Sequence, residues 1–428
     1  MHEKTASVDP VVVIDDTSVR QFTVGFEKEA IEDLRRRIGA TRWPNKELVG
    51  DWSQGVQLAT IRELMRYWAD EYDFGRLESR LNALPQFMTT IDGLDIHFIH
   101  VKSPHENALP LIITHGWPGS VIEMLEVVGP LTDPTAHGGR AEDAFDLVIP
   151  SMPGYGFSDE PKEVGWDPAR IGQVWAEVMN RLGYTRYVAQ GGDQGALVAD
   201  AMARQAPNGL LGIHLNLLSA FPLEVLAAVF AGAAPPPGLV KKLAVAIFAA
   251  KAERKEPTAV HAVAAALTKR GYIVEMPEHP QTIGYALSDT PAGLAAWMLD
   301  HDADSYEKIS RAFLEGQPSG GLTRERIVDN ITLYWLTNTA TSAARLYWEG
   351  FRTINAAIAA GKKPPELRLP VAFTVFPDEI FLAPRSWAEK VYPNLIYFNE
   401  VDKGGHFASW EEPQVFSEEM RAAFRSLR

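Results

Sequence analysis

The sequence predicts an α/β architecture: a mostly parallel, doubly wound sheet interrupted by a long helical insertion. Three observations support this. Short apolar runs end repeatedly in Gly- or Pro-rich turns, amphipathic segments at helical spacing lie between them, and strand-like runs vanish between about Leu217 and Pro370. Buried strands alternating with amphipathic helices are the pattern of a sheet covered on both faces.

Residues 1–85 read as a helical N-terminal extension. Glu27 to Ile38 has helical spacing and closes at Thr41-Arg42-Trp43-Pro44, because proline disfavours helix at the residue before it. Gln57 to Tyr72 repeats apolar residues at helical spacing, and Asp73 could cap a short helix ending near Leu84.

Residues 86–217 form the first part of the predicted α/β core. Phe87 to Ile91 and Ile96 to Val101 read as a hairpin around Asp92-Gly93-Leu94-Asp95. Leu109 to Thr114, Phe145 to Pro150 and Tyr187 to Gln190 are buried-strand candidates, with helices expected at Ser120 to Val128 and Ile171 to Leu182. The insertion, residues 218–369, reads as a helical cap. The strand rhythm returns in residues 370–428 with Val371 to Phe376 and Leu395 to Asn399.

The chain has 428 residues, 55 acidic against 41 basic, for a formal charge of −14. Such a surface repels nucleic acid and anionic lipid. There is no cysteine, which excludes disulfides, thiolate metal sites and a cysteine nucleophile. No metal or cofactor is expected. Met1 to Asp15 has no sustained apolar run, and the most apolar stretch, Gly209 to Val240, is broken by His214, Pro222, Glu224 and three consecutive prolines. The expectation is a soluble cytoplasmic protein without a membrane anchor. A homodimer is compatible with the sequence but not dictated by it.

Three predicted strand ends carry polar residues, where parallel sheets collect reactive groups. Gly191-Gly192-Asp193-Gln194-Gly195 follows one strand and precedes the helix Ala196 to Arg204. It has the small-x-nucleophile-x-small form of the nucleophile elbow, with Asp where lipases and esterases carry Ser. An Asp capping the helix is the alternative. His115-Gly116-Trp117-Pro118-Gly119-Ser120 follows another strand, and a backbone N–H there, assigned to Trp117, could pair with that of Gln194 as an oxyanion hole. His115, Gly116 and Pro118 of the same loop are candidate substrate-binding residues.

The third end is Gly404-Gly405-His406-Phe407, downstream of Pro377-Asp378-Glu379. Chain order is then nucleophile, acid, histidine, as in α/β-hydrolases. A carboxylate is ionised at neutral pH and attacks an sp³ carbon without a base, forming an alkyl ester. A histidine oriented by Glu379 or Asp378 then activates the water that cleaves the ester. That chemistry narrows the substrates to epoxides or alkyl halides.

With these residues in view, the chain resembles epoxide hydrolases of the microsomal type, including soluble bacterial and fungal forms. The resemblance rests on Leu34-Arg35-Arg36-Arg37, Thr41-Arg42-Trp43-Pro44, His115-Gly116-Trp117-Pro118, Pro153-Gly154-Tyr155-Gly156-Phe157-Ser158 and Gly404-Gly405-His406-Phe407-Ala408 with Glu411-Glu412-Pro413. It implies the α/β-hydrolase fold, Asp193 as nucleophile and His406 as base. Glu379, in Phe376-Pro377-Asp378-Glu379, is implied as the acid, with Asp378 as fallback. It also implies two cap tyrosines that hydrogen-bond the epoxide oxygen, identified with Tyr272 and Tyr347, with Tyr334 as rival for the second.

The expected partners are therefore a small epoxide and water. Two other readings remain open at this stage: a dehalogenase using the same Asp193, and a non-catalytic ligand-binding homologue. Gln194 stands where many relatives have Trp; in haloalkane dehalogenases that Trp helps bind halide, so Gln194 counts against dehalogenation.

Overall fold

Asp92 and Gly93 both adopt positive φ, 51° and 77°, as a tight two-residue hairpin turn requires. They join β2 (Gln86–Ile91) to β3 (Leu94–Val101) in antiparallel register. The computed structural model describes residues 17–217, 271–360, 365–380 and 382–428. Part of the predicted cap, including the Ala/Pro-rich segment around Ala231 to Pro237, lies outside the described residues, as do Met1 to Asp15.

The other strands are β1 (Arg20–Phe22), β4 (Leu109–Thr114), β5 (Phe145–Pro150), β6 (Tyr187–Gly191), β7 (Leu210–Leu215), β8 (Val371–Val375) and β9 (Leu395–Glu400). They form one sheet in the order β1-β2-β3-β5-β4-β6-β7-β8-β9. The β1, β2, β3 and β5 neighbours pair antiparallel, and the remainder of the sheet is parallel. Strands β4, β6 and β8 are buried almost throughout, which explains their continuous apolar runs.

The chain reverses its direction of sheet growth after β4, which is flanked by β5 and β6. Polar groups at the carboxyl ends of these strands therefore converge. Thr114, the last residue of β4, is in register with Gly191, the last residue of β6. The His115 to Ser120 loop and the Gly191 to Gly195 turn are thus neighbours because of strand pairing. A parallel bridge between Asp378 and Gly405 does the same for the acid and histidine loops.

The N-terminal helices α1 (Lys28–Gly39), α2 (Leu58–Asp70) and α3 (Phe74–Asn82) fall where helical spacing predicts them. Asp73 caps α3 by accepting from the N–H of Arg76 at 3.2 Å. Strand β1 was not expected, because three residues at an exposed edge carry no readable alternation. Ser120 to Val128 also departs from the expected helix. Ser120 caps a 3₁₀ stretch, Val121–Val127, and only Val128–Thr132 is α-helical. Six of the seven 3₁₀ residues are buried, so tertiary packing rather than amphipathic spacing sets this segment.

Between β7 and β8 the described residues are helical: Gly271–Glu278, Pro280–Asp289, Pro291–Leu299, Ala303–Leu314, Arg324–Thr337 and Ala340–Ala359. Prolines open the second and third, and Thr290, Asp302 and Thr323 cap the helices that follow them. The N-terminal helices grip this layer. The wholly buried Asp329 accepts the Tyr72 hydroxyl at 2.7 Å and a guanidinium N–H of Arg80 at 3.2 Å, and it also pairs with Arg76. Its neighbour Asn330 reaches the other way, donating to the Pro118 carbonyl at 2.7 Å and accepting from the Ser120 hydroxyl at 2.7 Å.

Candidate active site

Asp193 begins the helix Asp193–Gln205 with φ of +49°, a left-handed conformation strained for any residue with a side chain. The turn is possible because its flanks are bare. A Cβ on Gly191 would collide with the carbonyl of Gly195, and one on Gly195 with that of Thr114. Gly116 is constrained in the same way, since a Cβ there would overlap the Asp193 side chain.

The carboxylate of Asp193 is held asymmetrically. Its Oδ1 accepts the backbone N–H of Trp117 at 2.8 Å, whereas its Oδ2 lies 3.6 Å from His406 Nε2. Trp117 is joined to Pro118 by a cis peptide bond. Of the two expected oxyanion donors, the Trp117 N–H therefore reaches Asp193. No hydrogen bond from the Gln194 N–H to that carboxylate is formed among the described residues.

His406 Nδ1 lies 2.6 Å from Glu379 Oε1, with both side chains buried. Asp378 points elsewhere: its carboxylate meets Lys308 Nζ at 3.1 Å and is 44% exposed. Burial works to lower the basicity of His406, but Glu379 first and Asp193 after it outweigh burial and raise its pKa to about 10. A small cavity of about 20 Å³ is lined by Gly116, Trp117, Glu123, Asp193, Asn216 and His406.

The three tyrosines differ in what their hydroxyls do. Tyr272 and Tyr347 are both buried and meet edge to face, with ring centroids 6.0 Å apart. The Tyr347 hydroxyl makes no close hydrogen bond among the described residues, and the Gln194 side chain is a polar group that interacts with it. The Tyr272 hydroxyl lies 2.7 Å from His301 Nε2. Tyr334 instead donates to the Gly119 carbonyl at 2.6 Å, and its ring packs edge-on against Trp117. Burial, and then the charge of Asp193, holds the phenols of Tyr272 and Tyr347 well above the ordinary tyrosine range.

His115, expected among the substrate-binding residues, has its ring nitrogens turned to backbone groups. His115 is wholly buried, its Nε2 accepts the Met152 N–H at 3.2 Å, and its Nδ1 lies 3.1 Å from the Gly116 carbonyl. With both nitrogens engaged by backbone, it braces the loop and offers no group to a ligand. Gly116 lines the cavity beside Asp193, and Pro118 is buried with its carbonyl bound by Asn330.

Two residues absent from the sequence-based expectations belong to the site. Glu123 is buried in the same cavity as Asp193 and His406, and burial raises its carboxyl pKa to about 8. His301 connects Tyr272 to Asp302, whose Oδ2 lies 2.9 Å from His301 Nδ1. A histidine between acids, Asp300-His301-Asp302, at the start of a helix was the available signal.

Residues 19–124 match the family model described as epoxide hydrolase N terminus, and residues 110–254 match that of the alpha/beta hydrolase fold. The chain is 48% identical over 411 residues to a Stigmatella aurantiaca protein assigned to the epoxide hydrolases, covering 96% of this chain and 86% of that one. It is 32% identical over 421 residues to epoxide hydrolase 1 of Oryctolagus cuniculus, covering 96% and 89%. Among solved structures, juvenile hormone epoxide hydrolase from the silkworm Bombyx mori matches with a TM-score of 0.78 and 30% identity over 96% of each chain. The epoxide hydrolase of Aspergillus niger matches with a TM-score of 0.71 and 26% identity, over 97% of this chain and 98% of that one.

Proposed function

The chain belongs to the epoxide hydrolase family, and we propose a two-step reaction in which Asp193 opens an epoxide to an alkyl ester that water then cleaves to a vicinal diol. The observation that carries the residue assignment is the divided carboxylate of Asp193. Its Oδ1 rests on the Trp117 N–H, leaving Oδ2 to attack carbon.

In the first step Oδ2 displaces the epoxide oxygen, which takes a proton from a phenol. Tyr347 is placed to hydrogen-bond that oxygen as it departs, because its hydroxyl is buried and makes no close hydrogen bond. Tyr272 is the second phenol. In the next step His406, oriented by Glu379 through Nδ1, takes a proton from water at Nε2, and the hydroxide attacks the ester carbonyl. The charge then develops on Oδ1, already beside the Trp117 N–H, so the donor is in place before it is needed. Loss of the Asp193 charge on alkylation removes one of the anions that hold a proton on His406, which prepares the base for this step.

In this reading the helices between β7 and β8 form the cap that supplies both tyrosines, and α1 to α3 clamp it from the N-terminal side. Among the described residues no helix is long and apolar enough to cross a membrane. The acidic, cysteine-free sequence supports a cytoplasmic location. Homodimer formation, the remaining expectation, is measured by sedimentation.

The test is a single turnover of excess enzyme with styrene oxide in ¹⁸O-water. Label in the Asp193 carboxylate with unlabelled first-turnover diol is expected, because water attacks the acyl carbon. Label appearing directly in that diol, or diol formation by Asp193→Ala at the wild-type rate, would sink the assignment.

A further inference from the structure

Behind Tyr272 stands a histidine that neither step above uses. His301 Nε2 lies 2.7 Å from the Tyr272 hydroxyl, and His301 Nδ1 lies 2.9 Å from Asp302 Oδ2. The other oxygen of Asp302 accepts the Ser305 N–H at 2.9 Å, capping Ala303–Leu314. Burial works to raise the Asp302 carboxyl, but its bonds to His301 and Ser305 win and hold it well below the usual carboxylate range. An ionised carboxylate only accepts hydrogen bonds, so His301 Nδ1 carries a proton and Nε2 is the nitrogen whose protonation can vary.

On its other side the His301 ring packs against His406, with centroids 4.2 Å apart. One ring nitrogen of each histidine and one carboxylate oxygen of Asp193 all lie within 4.8 Å of one another. A single bridging water spans such a gap. The groups facing His301 are therefore Asp302, Tyr272, His406 and Asp193. Together they join the base of the second step to an acid of the first.

That connection answers a problem of proton balance. With its pKa raised to about 10, His406 starts the cycle protonated at neutral pH, and an imidazolium cannot take a proton from water. The epoxide oxygen, meanwhile, needs a proton. Burial first, and then the nearby His406 charge, lowers the basicity of His301, so at rest it is neutral and accepts from Tyr272. The phenol hydrogen is then turned away from the substrate.

We propose that His301, steadied by Asp302, carries the proton of His406 to Tyr272 once in each turnover. This rests on the two-step reading above. His406 gives its proton to His301 Nε2, which then donates to Tyr272 Oη and frees the phenol hydrogen toward the epoxide. As Asp193 forms its bond to carbon, the electron pair of the broken C–O bond goes to the epoxide oxygen. That oxygen takes the Tyr272 proton, and Tyr272 takes the one on His301. His406 is left neutral and accepts a proton from water in the second step. When the acyl C–O bond breaks, the departing alkoxide takes the proton of the newly formed Asp193 carboxyl. The cycle closes with Asp193 ionised and His406 protonated, as it began. His301 is on this account a positioning and relay residue acting through Tyr272.

The experiment uses the full chain and styrene oxide in rapid-quench single turnovers across the pH range, with the Asp193 ester read by intact mass. His301→Gln keeps a polar contact to Tyr272 but cannot carry the proton. Its alkylation rate is expected to fall by about tenfold or more with KM little changed, and the His301 limb of its pH profile is expected to vanish. Asp302→Asn removes the anion that stabilises the imidazolium and should move that limb to lower pH. A His301→Gln enzyme that alkylates within about twofold of wild type, or whose deficit is the same at every pH, would overturn the relay.

Wild-type protein gives a second readout that needs no variant, through ¹⁵N-histidine NMR at neutral pH. A cationic His406 beside a neutral His301 is expected. A neutral His406 at rest overturns the proposal, because there is then no proton to carry. Failure of wild type to form the Asp193 ester would instead strike the two-step reading itself.

Discussion

Glu379 Oε1 accepts the Ile380 N–H at 2.7 Å and lies 2.6 Å from His406 Nδ1, so one oxygen anchors the acid and sets the tautomer of the base. The other oxygen, Oε2, is buried without a hydrogen-bond partner among the described residues. Glu379→Gln can therefore keep its carbonyl oxygen in both bonds while losing the charge. The His406 imidazolium that forms during ester hydrolysis loses its counter-ion, whereas in the alkylation step His406 serves only as a source of a proton and not as a base. Hydrolysis is expected to slow by on the order of 10³-fold, by analogy with loss of the orienting carboxylate in a catalytic triad. The ester should then accumulate and appear as a mass increase equal to that of the epoxide. A variant that turns over slowly without accumulating ester would show that Glu379 acts earlier.

The tyrosines are separable by what each hydroxyl already does. Tyr347→Phe removes a buried hydroxyl that makes no close hydrogen bond, so thermal stability should change little. Alkylation should nevertheless fall by about 10²-fold, the scale of one lost hydrogen bond to a developing oxyanion. Tyr334→Phe leaves the Gly119 carbonyl without its donor at 2.6 Å. It should cost about 1–3 kcal/mol of stability and change alkylation only a few-fold. Melting curves and single-turnover rates on the two variants check this, and the opposite ranking would exchange the roles of the two residues.

The strand ends proposed as catalytic were legible because their requirements are local. An elbow needs small residues on both sides of Asp193, and Gly191 and Gly195 are those residues. The histidine loop likewise announces itself by the glycines before His406. What the sequence did not disclose depends on pairing at a distance. The match of Thr114 with Gly191 brings the Trp117 N–H to Asp193, and the bridge from Asp378 to Gly405 turns Glu379, rather than Asp378, toward His406. His115 was read as a ligand-binding group from its motif, and folding sets one ring nitrogen beside the adjacent Gly116 carbonyl and the other on the distant Met152 N–H. His301 was hidden for another reason. It lies in the helical insertion, where no strand end marks a reactive position, and only folding packs it against His406.

Glu123 gives the protein a pH-dependent stability with a definite sign. Burial raises its carboxyl from 4.5 to about 8, with His406 opposing and Asp193 reinforcing the shift. The folded state therefore binds this proton more tightly than the unfolded chain does. The resulting stabilisation is fully present below pH 4.5 and is lost as pH rises through about 8. Glu123→Gln is neutral at every pH and escapes that loss. Its melting temperature relative to wild type should climb between about pH 5 and pH 9, for a gain of roughly 1–3 kcal/mol. Melting curves that stay parallel over this range would place the ionisation of Glu123 elsewhere.

Asn330 couples the helical layer to the oxyanion donor. Its side chain donates to the Pro118 carbonyl and accepts from the Ser120 hydroxyl, each at 2.7 Å, while the adjacent Asp329 is held by Tyr72, Arg76 and Arg80. Asn330→Ala strands two buried polar groups at a cost of about 1–3 kcal/mol each. It also loosens the loop that presents the Trp117 N–H. That donor acts most strongly on the charge that develops during ester hydrolysis, where full loss of such a group costs about 10²–10³-fold. Partial displacement should slow hydrolysis by roughly tenfold and alkylation by less. Asn330→Asp keeps the acceptor for Ser120 but sets a buried carboxylate against the Pro118 carbonyl, so it should reproduce the kinetic defect with at least as large a loss of stability. Rapid-quench measurement of both rate constants in the two variants tests this. An equal slowing of both steps would mean that the loop serves binding rather than the oxyanion.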